Sequence, residues 1–63
     1  MVVRFNRVAP SGNIFWIMGS ASLLLRNNGM NDRADEMVNR VHACGSYEEA
    51  LAIISEYVDL VEE

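Results

Sequence analysis

With 63 residues, a net charge of −4, one cysteine and one histidine, the chain makes one small domain that can neither close an internal disulfide nor supply the four ligands of a structural zinc site. A domain this size buries only about 60% of the surface its unfolded chain exposes, so oligomerisation is the remaining common remedy for marginal stability. Residues 1–31 hold Arg4, Arg7 and Arg26 and no acid, +3, whereas residues 32–63 hold all nine acids with Arg33 and Arg40, −7; this argues against direct DNA binding, which needs a clustered positive field.

Residues 1–10 read as an extended or β arm. Val3 and Phe5 alternate with Arg4 and Asn6, a short strand signal for which no later segment offers a partner, since everything downstream reads as helix. The segment must then pair with another copy, lie as an extended arm, or not be a strand at all. Pro10, Ser11, Gly12 and Asn13 make a turn.

The first helix is expected over 13–28, capped by Asn13 or Ser11 and stopped at Gly29. At 100° per residue Ile14, Phe15, Ile17, Met18, Ala21, Leu24 and Leu25 form the expected core face. Trp16 and Leu23 fall nearly opposite, with the small residues Gly19 and Ser20 between them. Trp16, Gly19, Ser20 and Leu23 are therefore the expected self-association surface, the competing reading being that the arm covers Trp16.

The second helix is expected over 31–44, with Asn31 or Asp32 as cap and Ala34, Met37, Val38, Val41 and Cys44 as its apolar stripe. Glu36 and Arg40 stand four apart in the order that favours an ion pair. The third is expected over 46–62, opened by the capping box Ser46-Tyr-Glu-Glu49. Its outer side is an acidic ridge. Glu48, Glu56, Asp59 and Glu62 on that ridge are the expected contact for a protein partner, in particular a basic one.

The charge-free run from Gly12 to Leu25 is too short for a bilayer: Ile14 to Leu25 spans about 18 Å as a helix against a hydrocarbon core of about 30 Å. No membrane association is expected, and a free cysteine without an export signal places the chain in the cytoplasm. The composition offers no catalytic constellation, because His42 and Cys44, two apart on a helix, point about 200° away from each other. No enzyme activity, metal or cofactor is expected. Arg4 and Arg7 precede a turn whose Asn13 opens a helix, and with Trp16 they supply fork-shaped donors, free amides and a stacking surface. Arg4, Arg7 and Asn13 are thus candidate anion-binding residues, and a nucleotide is the ligand they suit.

Two resemblances bear on this reading. Gly45-Ser-Tyr-Glu-Glu-Ala50 resembles the hairpin of a tetratricopeptide repeat, although Ala34, Met37, Val38 and Val41 depart from that family's preceding helix; it implies a helical hairpin only. Gly12-Asn-Ile-Phe15, Ile17-Met-Gly19, Gly29 and Gly45-Ser-Tyr47 are similar to short proteins encoded by bacteriophages and prophages. That likeness implies a viral accessory protein in a bacterial host cell, a class in which non-enzymatic inhibitors of host defence are frequent. The expectation is therefore a mainly α domain, an arm followed by three helices, oligomeric. It acts by antagonising a defence factor, by sequestering a nucleotide signal, or as a structural subunit.

Overall fold

The alternation at the start of the chain does make a strand. In the computed structural model, which describes all 63 residues, β1 spans Val2–Phe5, burying Val3 and Phe5 while exposing Val2 and Arg4. A 3-10 turn at Pro10–Gly12 leads into α1 (Ile14–Asn27), followed by α2 (Asn31–Ala43), α3 (Tyr47–Ser55) and β2 (Asp59–Glu62). The architecture is mainly α, as expected, but the strand has a partner within its own chain. β2 runs parallel to β1, with Val2 opposite Asp59 and Phe5 opposite Glu62.

The expected third helix over 46–62 is therefore too long by two turns. It ends at Ser55, whose hydroxyl donates to the Ala52 carbonyl at 2.7 Å, a competing bond typical of serine near a helix end. The next three residues turn, and Tyr57 and Val58 enter the core. An unpaired β1 would leave its inward N–H and C=O groups without partners beside an apolar core, a cost comparable to lost hydrogen bonds. Pairing with residues 59–62 removes that cost, and it outweighs the helical spacing of this short segment.

α1 is capped by Asn13, whose side chain accepts from the Phe15 N–H at 2.8 Å. It ends in a turn whose Gly29 has φ +75°, a left-handed conformation that costs glycine no steric strain. α2 opens differently from expectation: Met30 is the cap residue and supplies no side-chain bond, with Asn31 already helical. α3 has its Ser46 cap, the Glu49 N–H donating to Ser46 Oγ at 3.1 Å. The Glu49 carboxylate returns to the Gly45 N–H at 3.0 Å, one residue earlier than a reciprocal box would place it.

The core forms where the three helices and the sheet meet. Ile17, Leu25, Met37 and Ile54 are wholly buried, and no buried side-chain polar atom lacks a partner. α1 adjoins β1, α3 adjoins β2, and α2 packs on both helices away from the sheet. Gly12 fixes how the arm crosses α1 and α3. A Cβ there would sit 2.6 Å from the Arg7 Cα, and the Tyr47 hydroxyl donates to the Gly12 carbonyl at 2.5 Å.

Candidate interaction surface

The inner side of α1 follows the expected stripe, with Ile17, Ala21 and Leu25 buried and Ile14, Met18 and Leu24 half-buried. Phe15 departs from it. It was expected in the core and is 66% exposed, because the helix offers more apolar circumference than two neighbouring helices and one strand can cover. Trp16 is 46% and Leu23 60% exposed, so the arm does not bury the indole. Between them Gly19 faces open space: a Cβ added there would meet nothing within 4 Å. Ser20 flanks the same notch and is half-buried. Arg26 closes one rim, donating to Asp35 at 2.7 Å and to Ser22 at 3.3 Å.

Phe15 also lines a cleft of about 310 Å³ with Ile14, Val41, His42, Cys44 and Tyr47. His42 and Cys44 share this cleft although a continuous helix would part them. The helix stops at Ala43 and Cys44 turns to extended backbone, φ −78° and ψ 160°, so the separation of about 200° that holds for an unbroken helix does not apply to this pair. The thiol donates to the Ser46 carbonyl at 3.5 Å, with no hydrogen bond to His42.

The expected acidic ridge is divided between two elements and largely matched by arginine. Glu48 lies on α3, Glu56 at its end, and Asp59 and Glu62 on β2. Arg7 donates to Glu48 and, at 3.1 Å, to Glu62, with its guanidinium 5.5 Å from the centre of the Tyr47 ring. Arg40 forms a two-pronged bond to Glu56 at 3.0 and 2.9 Å and donates to the Tyr57 hydroxyl at 3.1 Å. The Tyr57 hydroxyl in turn donates to Glu36 at 2.5 Å. The expected Glu36–Arg40 pair is thus replaced by contacts that join α2 to the end of α3, since the planar fork of arginine is better satisfied by a carboxylate facing it squarely. These arginine hydrogen bonds hold the Glu48 and Glu56 carboxyls below the usual carboxylate range and push the Arg7 and Arg40 guanidiniums above theirs. Of the four expected contact acids, Asp59 alone has no ion-pair partner.

The three anion-binding candidates do not converge on one site with free donors. Arg7 is taken by two carboxylates, the Asn13 side chain by the α1 cap, and Arg4 approaches Glu63 at 3.9 Å on the exposed face of β1. No group of three or more His, Cys, Asp or Glu side chains is placed to hold a metal ion, and no helix is long and apolar enough to cross a membrane. No protein-family model matches the sequence, and no curated protein or solved structure matches it.

Proposed function

We propose that this protein acts by binding rather than by catalysis, as a self-associating module whose contact surface is the outer face of α1. One observation carries the reading: Phe15, Trp16 and Leu23 stand 66%, 46% and 60% exposed around an open Gly19. Fully burying one such side chain contributes roughly 1.5–3 kcal/mol. Because these three are already partly covered, two copies together supply about 5–10 kcal/mol, which falls within the association cost of about 4–15 kcal/mol and makes this face the main contributor to any contact rather than a sufficient one. Gly19 and Ser20 let a second helix approach closely, while the large groups beside them fill the flanks.

In the phage setting that the Gly12-Asn-Ile-Phe15 pattern implies, such a module antagonises a host defence factor by covering part of it. Occlusion through the acidic side draws less support than through α1, because Glu48, Glu56 and Glu62 are matched by Arg7 and Arg40. The nucleotide reading has the same difficulty with Arg7.

Analytical ultracentrifugation tests the surface. Wild type should associate at micromolar concentration, and Leu23→Glu should sediment as a monomer with unchanged circular dichroism; a monomeric wild type removes the self-association. Expression in bacteria carrying a panel of defence systems tests the role. Restored phage plating against one of them, lost in Leu23→Glu, is expected, and no restoration across the panel removes the antagonist reading.

A further inference from the structure

The two-stranded sheet is open on both sides. The Asp59 N–H donates to the Met1 carbonyl at 2.8 Å and the Glu63 N–H to the Phe5 carbonyl at 2.7 Å, so the odd-numbered residues of both strands aim their backbone groups into the ladder. Val2 and Arg4 on β1, and Leu60 and Glu62 on β2, aim theirs outward, where no backbone group of the chain meets them. Such an edge is a template for another strand.

The two edges are not equivalent. Asp59, Glu62 and Glu63 crowd the β2 edge, and a second β2 laid against it would oppose like charges. The β1 edge, Val2-Val-Arg-Phe5, carries one charge and an exposed valine.

We propose that β1 pairs antiparallel with β1 of a second copy about a two-fold axis, making a continuous sheet in the order β2-β1-β1-β2. The register follows from the outward groups. Val2 stands opposite the partner's Arg4, and Arg4 opposite the partner's Val2, each pair exchanging two N–H···O=C bonds. The two Val3 residues then face each other on the helix side. Because Val2 is also opposite Asp59 within its own chain, this register sets the partner's Arg4 in one row with Val2 and Asp59. Their Cα atoms are about 10 Å apart by strand spacing, a span that an arginine lying over Val2 covers. Asp59 has no cation of its own, and Arg4, its side chain 69% exposed, has only a loose approach to Glu63. The arrangement gives both a counterpart.

The helical layer agrees with it. α1 is the one α-helix that contacts β1, as α3 is for β2, so α1 is the helix nearest the β1 edge. Strand pairing there draws two α1 helices together, and Gly19 leaves room for it. This part rests on the self-association reading of α1; the open edge and the charge pattern do not depend on it.

Charge reversal with mixing tests the register. In Arg4→Asp homodimers two acids share each row, and in Asp59→Arg homodimers two arginines do, whereas a mixed dimer has one of each sign in both rows. Sedimentation velocity should show wild type as a dimer at micromolar concentration and each variant dissociating about tenfold more readily, with dimers restored in the equimolar mixture. Both positions are exposed, and circular dichroism verifies that the variants fold. A monomeric wild type, variants that dimerise like wild type, or a mixture that stays dissociated overturns the proposal. If Leu23→Glu dissociates while the charge variants do not, strand pairing fails and the α1 contact survives. If the charge variants behave as expected and Leu23→Glu remains dimeric, the reverse holds.

Discussion

Gly12 does at one position what no other residue type can do there. Its missing side chain lets the backbone pass against Arg7, and its carbonyl receives the Tyr47 hydroxyl, so one residue ties the arm to the starts of both α1 and α3. Gly12→Ala should cost about 1–3 kcal/mol, the usual range for forcing atoms into a filled site, measured as a lower midpoint in urea with an unchanged slope. The requirement was visible in the sequence only as a turn signal, Pro10-Ser-Gly-Asn13. That the glycine is needed for close approach rather than for chain reversal depends on where Arg7 lies, and Arg7 is placed by Glu48 and Glu62 from distant parts of the chain.

At the scale of elements, the helices were legible and the second strand was not. Asn13 and Ser46 announce two helix starts, and Gly29 one end, through local chemistry that any chain of this sequence carries. Tyr57, Val58, Leu60 and Val61 continue the spacing of α3, with no glycine or proline to interrupt it, so period alone favours a longer helix. What stops it is tertiary: β1 needs a partner, and the preference of a segment for strand depends on that context more than helix preference does. The usable hint was β1 itself, a strand signal left without a mate. Two substitutions check the assignment. Val61→Pro removes an N–H that points into the ladder from a side chain that is 40% exposed, and should cost at least about 1 kcal/mol. Proline at Leu23, an exposed position in the third turn of α1, should cost about 3 kcal/mol or more by breaking that helix. If residues 59–62 were helical and frayed instead, Val61→Pro would leave the thermal midpoint unchanged. The α1 surface was legible in Trp16 and Leu23, which fall opposite the core stripe, but not in Phe15, because spacing shows which side chains share an arc and not how wide an arc the neighbours cover.

Across the whole molecule, arginine pairs tie different elements to one another. Arg7 links the arm to α3 and β2, Arg40 links α2 to the end of α3, and Arg26 links α1 to α2. Glu48 and Glu56 hold their protons less tightly in the folded protein than in the unfolded chain. The stabilisation they give is therefore present above the ordinary carboxylate pKa of about 4.3 and is lost as pH falls through their lower folded values. The thermal midpoint should be level from neutral pH to about pH 5 and decline below about pH 4. Replacing both with glutamine should lower the neutral midpoint and make the acid decline shallower, and an unaltered acid slope would show that these pairs do not govern it. A parallel ladder joining the two ends of the chain also sets how the protein responds to force. Tension applied through residues 1 and 63 pulls β1 and β2 lengthwise in opposite directions, so their hydrogen bonds are loaded in shear and together rather than unzipped one after another, and stretching meets its first resistance at the sheet, before the helices are asked to uncoil.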